Sequence, residues 1–295
     1  MASRNTTCDV GAGVYQRFFR RSWSTALAFA LAAITSTPNT SRADENGVSF
    51  WIPGFFGSLA ATPQQPGWSL AAINYFTDVS GSGNIAVARE ISIGQFNPAL
   101  NASVSANVRA NADLQMFIPT YVFATPFLGG QASASLLGLF GNNNTGLNAT
   151  FTGTIGPIPF TRTIDLQQTT SGVGDLIPQF AERWNAGVNN YLAYLTGDIP
   201  VGLYNSTNLA NIGLGHGAID GGVGYTYFDP RTGHEFSVVT GLTGNFTNTS
   251  TGYTSGIDWH LDWGASQFLT KQLMVGLVGY VYDQISPDSG CAPQL

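Results

Sequence analysis

Between Leu100 and Leu114 the chain reads LNASVSANVRANADL, and its alternate positions fall into two chemical classes. The even positions are Leu100, Ala102, Val104, Ala106, Val108, Ala110, Ala112 and Leu114. The odd positions are Asn101, Ser103, Ser105, Asn107, Arg109, Asn111 and Asp113. Successive side chains of a strand point to opposite faces, so this period predicts a strand with one apolar and one polar face. The run exceeds the roughly 9–11 residues that a tilted strand needs to cross a bilayer, and far exceeds the roughly 5–6 of an ordinary soluble strand.

Other segments repeat the pattern. Ile219–Tyr227 places Ile219, Val223, Tyr225 and Tyr227 opposite Asp220, Gly222, Gly224 and Thr226. His234–Phe246 sets Phe236, Val238, Leu242 and Phe246 against Glu235, Ser237, Thr243 and Asn245. Ile257–Trp263 sets Ile257, Trp259, Leu261 and Trp263 against Asp258, His260 and Asp262. Leu273–Val281 follows with weaker contrast. Less regular candidates are Trp68–Phe76, Ile85–Ile93, Gln131–Phe140, Leu147–Ile155, Phe160–Thr169 and Ala186–Thr196. Asp229–Gly233 is a tight hairpin signal and Leu269–Gln272 a short polar turn. The Asn/Thr/Gly stretches Gly141–Gly146 and Asn245–Gly256 read as longer exposed loops. The spacing predicts an up-and-down antiparallel sheet of roughly ten or eleven strands, which in lipid must close into a barrel to satisfy its backbone polar groups.

Composition narrows the function. Only 9% of residues are charged, with 11 basic against 17 acidic, so neither a nucleic-acid partner nor a disordered acidic chain is indicated. Arg17, Arg20 and Arg21 precede the apolar run Thr25–Ile34 and a small-residue site ending at Ala43. That order of features reads as a cleaved export signal over residues 1–43, too short to span a bilayer. An aromatic segment, 44–67, and the barrel, 68–295, would follow. The mature chain would keep six basic and sixteen acidic residues, a net charge of −10, and Cys291 without Cys8. A disulfide framework and a Cys-based metal site are excluded on that count. No Gly-x-Ser-x-Gly motif surrounds a candidate nucleophile, so the expectation is a protein that is not an enzyme and uses no cofactor.

Several phrases identify a family. They are FIPTYVF at 117–123 with LGGQA at 128–132, GDLIPQ at 174–179, GDIPVG at 197–202 and GIDWHLDWG at 256–264. Together they resemble the outer-membrane proteins named for the meta-pathway of phenol degradation, over nearly all of the mature chain. The resemblance implies an all-β, antiparallel up-and-down transmembrane barrel of about ten to fourteen strands, loosely similar to FadL-type channels. It implies a location in the outer membrane of a Gram-negative bacterium after export through the inner membrane, with insertion by the barrel-assembly machinery. The implied partners are outer-membrane lipid and hydrophobic or aromatic small molecules taken up passively. One departure stands out: the family continues to further strands and an aromatic C-terminal end, whereas residues 289–295 form a polar tail with Pro293. Either C-terminal strands are missing here or they differ from the family. The competing readings are a structural or adhesive surface barrel without transport, and a soluble periplasmic β-sandwich binding protein.

Three groups of residues are candidate sites. Asp258, His260 and Asp262 share one face of a strand, and Arg109 and Asp113 share the polar face of the long strand. Both sets are expected to line the lumen, as permeant contacts or as the ordinary polar interior of a barrel. The Asp258/His260/Asp262 spacing spreads the side chains along the strand by about 6.5–7 Å per two residues, which is poor metal geometry. Asp175 and Pro178 mark an expected kink in the wall, where FadL-type channels release cargo sideways. Trp51, Phe55 and Phe56 lie in FWIPGFFG at 50–57, where Pro and Gly disfavour a regular element. They form either an aromatic platform for cargo in or above the pore or a lipid-facing first strand.

Overall fold

Alternation of this kind can be satisfied only by a sheet with two different surroundings, and the computed structural model describes such a sheet. It covers residues 49–82, 102–155 and 158–290, all within the compact unit 42–295. The strands are β1 (Gly67–Ser82), β2 (Ala102–Val122), β3 (Gln131–Ile155), β4 (Ile158–Ala186), β5 (Asn189–Asp198) and β6 (Ala218–Asp229). They continue with β7 (His234–Asn245), β8 (Tyr253–Thr254), β9 (Asp258–Phe268), β10 (Met274–Gln284) and β11 (Ser289–Gly290). No helix occurs among the described residues. Nine strands pair antiparallel in the order β1-β2-β3-β4-β5-β6-β7-β9-β10, while β8 and β11 form a small ribbon. The sheet curls into a half-barrel around residues 50–61, and among the described residues β1 and β10 are its edges. The expected strand Ile85–Ile93, the export signal and the tail beyond Gly290 lie outside the described residues.

In β5 to β9 the two faces divide as the period requires. Asn190, Thr196, Asp220, Thr226, Glu235, Ser237, Asp258, His260 and Asp262 are buried on the inner face. Tyr191, Leu195, Ile219, Val223, Phe236 and Leu242 are exposed on the outer one. Phe117, Phe140 and Phe180 continue this apolar belt across β2, β3 and β4.

Strands β2, β3 and β4 run to 21, 25 and 29 residues, at least about twice what a bilayer crossing needs. In the outlying halves of β2 and β3 the outer face exchanges apolar for polar residues without any slip of the pleat, and in β4 the same exchange accompanies the register shift between Gly138 and Phe140. Asn107, Arg109, Asn111 and Asp113 of β2 point outward, beside Asn142, Asn144 and Asn148 of β3. The inward side holds Ala106, Leu147, Ala149 and Phe151, backed by Val108, Phe160, Ile164 and Leu209. A polar outer face suits contact with water, which leaves the apolar positions to pack inward.

This exchange corrects two expectations. Gly141–Gly146 is not a loop: it runs through the middle of β3, with Asn144 opposite Asn111 and Asn142 opposite Ser171. Its turn-like residues are tolerated because hydrogen-bonded strands hold them on both sides in water. Gln131–Phe140 and Leu147–Ile155 therefore merge into one strand. Arg109 and Asp113 do not line the lumen. Arg109 donates to Asp78 at 2.9 Å on the exposed outer surface, and that hydrogen bond holds the Asp78 carboxyl below its ordinary range.

The belt generates a contrast that can be measured. Leu195→Arg should destabilise the folded protein by about 2–4 kcal/mol, as charge does near the middle of an apolar belt that faces lipid. Asn107→Arg, also on the outer face, should change stability by less than about 0.5 kcal/mol. The temperature at which gel mobility converts from folded to unfolded reports both.

Candidate functional site

The inner face of β4 to β9 carries more polar and charged groups than an enclosed surface can leave unpaired, and residues 50–61 supply many of the partners. Pro53 and Gly54, the latter at φ 80°, keep this segment out of regular pairing, so its amide N–H groups are free to point at the wall. Asp262 accepts from Gly54 N–H at 2.9 Å and from Phe56 N–H at 3.1 Å, one bond to each carboxylate oxygen. Leu59 N–H reaches Glu235 Oε1 and Ser237 Oγ, each at 3.0 Å, and Ala61 N–H reaches Thr226 Oγ1 at 3.1 Å. In the opposite sense Arg183 donates to Ala60 O at 3.1 Å, with a second bond to Ser133 Oγ at 2.9 Å. Strands β4, β6, β7 and β9 thus grip one irregular segment through its backbone.

Its side chains complete the attachment. Trp51 and Phe56 are buried against Ala181, Leu192, Tyr194 and Val239. The Trp51 ring lies over His260 at 3.6 Å, with an interplanar angle of 18°. Burial of each large apolar side chain contributes about 1.5–3 kcal/mol. Small wall residues make the room: a Cβ at Gly264 would lie 2.8 Å from Ser58 Oγ. On the other side Ile52 and Phe55 pack toward Met116, Ile118 and Leu137. The cavity left between them is about 20 Å³, enough for roughly one water and for no organic molecule.

Trp51, Phe55 and Phe56 therefore sit inside the half-barrel, and the alternative of a lipid-facing first strand is corrected. The physical cause is the ring of inward acceptors, which the segment's amides satisfy and lipid could not. Asp258, His260 and Asp262 do share the inner face. His260 donates from Nε2 to Asp220 Oδ2 at 2.8 Å, Thr243 donates to the same oxygen at 2.7 Å, and Asn245 donates to Asp258 at 3.0 Å. Among the described residues no cluster of His, Cys, Asp and Glu is arranged to hold a metal ion.

Asp175 and Pro178 lie where the wall changes. The β3–β4 register shifts between Gly138 and Phe140, and β4 pairs with β5 only from Gln179 onward. Before that point the chain after β5 stays beside β4 only through isolated contacts: Leu176 bridges Ile199, and Leu203 N–H bonds Val173 O at 2.8 Å. Buried Asp175 fastens this inward connection, accepting from Gly202 N–H and Leu214 N–H, both at 2.7 Å. The approach is so close that a Cβ at Gly202 would lie 2.5 Å from the Gly174 carbonyl carbon. Exposed Val173, Ile199, Val201 and Leu203 rim the break.

Sequence reasoning did not single out Asp220, Glu235, Tyr194 or Arg183. The first two occupy the polar parity of their strands, but their roles depend on cross-strand partners that parity alone does not name. Arg183 carried a usable signal, as one of only six basic residues after position 43.

Comparison with known proteins follows from this geometry. A family model described as "Putative MetA-pathway of phenol degradation" matches residues 77–292. A crystal structure of an outer membrane channel from Pseudomonas putida F1 superposes with a TM-score of 0.50 over 76% of each chain, at 12% identity. That degree of likeness shows a shared fold. No curated protein matches the chain.

The clamp predicts that Asp262→Ala, which leaves two amides unpaired, destabilises the docked segment by about 2–4 kcal/mol. A cysteine placed at Ser58 in a Cys291→Ser background should react slowly with a maleimide in the parent protein. It should react markedly faster once Asp262→Ala is added.

Proposed function

The chain belongs to the family described by the phenol-degradation model, and from that premise we propose that it is a passive outer-membrane channel for hydrophobic, chiefly aromatic, small molecules. The observation that carries the reading is the inversion along β2–β4. A lipid-belted section, polar-lined along β4 to β9, continues into a section of β2–β4 whose interior is apolar and whose exterior is polar. An apolar interior held in water beyond the membrane is a surface to which hydrophobic compounds partition.

The connections orient this section. Gly187–Val188 and Pro230–Gly233 are short turns at one end of the sheet, while 199–217 and 246–257 are long connections at the other. In outer-membrane barrels the short turns face the periplasm and the long loops face outward. The apolar section then stands on the extracellular side, where it collects cargo. The break at Val173–Pro178, rimmed by apolar side chains, offers cargo a sideways path to the lipid, with Asp175 keeping the connection folded inward. Transport down a concentration gradient needs no cofactor.

A structural barrel without transport is the second reading, favoured by the segment 50–61 that fills the lumen. Proteoliposome uptake separates the two. Wild-type protein should admit neutral monocyclic aromatics faster than empty liposomes do, and Asp175→Ala should bring the rate back toward that of empty liposomes. Uptake by the wild type no faster than by empty liposomes would favour the structural barrel.

A further inference from the structure

We infer that the inner wall carries a slot for a planar neutral aromatic bearing an O–H or N–H donor, and that Trp51 is the chain's own occupant of it. The inference deepens the channel reading and rests on it only for how such a molecule arrives.

The slot is built by the wall, independently of the segment that covers it. His260 is fixed edge-on by Asp220, which Thr243 fixes in turn, so the imidazole face is presented whether or not Trp51 is there. Tyr194 lies beside it, its ring 6.0 Å from that of Trp51 at 30° and its hydroxyl 3.4 Å from His260 Nε2. Leu192 and Val239 add apolar floor. Glycines give the rings their room: a Cβ at Gly222 would lie 2.5 Å from the Tyr194 hydroxyl, and one at Gly241 2.2 Å from it and 2.8 Å from His260 Cε1. A flat recess walled by rings, with side chains absent where they would fill it, suits a planar guest.

Trp51 occupies the recess without being tailored to it. The segment is anchored through the amides of Gly54, Phe56, Leu59 and Ala61, none of which involves the indole. Buried Trp51 Nε1 makes no hydrogen bond, and neither do buried Asp220 Oδ1 and His260 Nδ1. A donor that misses its acceptors, beside acceptors that lack a donor, is the signature of an imperfect ligand. A smaller free ring can tilt until its O–H or N–H meets one of them. Asp220, Asp258 and Asp262 on the same inner face oppose a carboxylate on the guest, which excludes aromatic acids.

Trp51→Ala should vacate the slot while leaving every backbone anchor in place. In detergent, indole and phenol should then raise the temperature of the folded-to-unfolded gel-mobility transition by about 5 °C at a hundredfold excess over Kd. Benzoate and cyclohexanol at equal concentration should not. No rise with either donor aromatic, or an equal rise with benzoate, overturns the proposal. The second measurement uses wild-type protein labelled with 5-fluorotryptophan, the Trp51 resonance being assigned with Trp51→Phe. Titration with phenol should shift that resonance selectively, and an unmoved signal at saturating phenol overturns the inference even if the alanine variant fails to fold. Both readouts are of binding in micelles. Binding without uptake by liposomes therefore sinks the channel reading alone, and uptake without binding sinks the slot alone.

Discussion

A strand has two faces and one pleat, and here the outer face of the longest strands changes from apolar to polar along their length. In β2 and β3 the pleat keeps its parity and the outward residues change class instead, whereas in β4 the change coincides with a register shift. In β2 the outward positions pass from Asn107, Arg109, Asn111 and Asp113 to Phe117, and the inward ones gather Ala106, Met116 and Ile118 into buried clusters. The interior has two environments: apolar along β2 and β3, acid-rich along β6, β7 and β9.

The acid-rich part creates a second constraint. Inward carboxylates need donors, and the inner face has few side chains that can supply them: Arg183 serves the segment and Ser133, while His260 serves Asp220. Backbone amides are the remaining source. Residues 50–61 provide them on one side, and Gly202 and Leu214 provide them to Asp175 on the other. Both attachments use main chain instead of side chain: Gly54 supplies the left-handed turn of the segment, and Gly174, Gly202 and Gly213 allow the close approach around Asp175. Filling of the lumen and folding of the connection after β5 are thus two answers to one electrostatic problem.

Much of this was legible before any coordinates. Period two along Ile219–Tyr227, His234–Phe246 and Ile257–Trp263 located β6, β7 and β9 and assigned their faces, because a half-buried strand writes its environment into alternate residues. The same logic misassigned Arg109 and Asp113. Alternation states that two faces differ, but not which one faces in, and the preference reverses where lipid gives way to water. Gly141–Gly146 misled for a related reason: Asn, Thr and Gly favour turns in isolation, yet paired strands on both sides hold them extended.

The all-β class, the strand order along the chain, the polar and apolar parities and the turns at Asp229–Gly233 and Leu269–Gln272 followed from the residues alone, since each is a local consequence of side-chain chemistry and backbone permissiveness. The stacking of Trp51 on His260, the pairing of His260 with Asp220, the clamp of Asp262 on two amides and the interruption beside Asp175 did not. These contacts join residues far apart in the chain, such as Gly54 and Asp262, and which of them meet depends on the curl of the sheet and the register of its strands. Local sequence specifies what each group needs; only the tertiary fold decides which distant group supplies it.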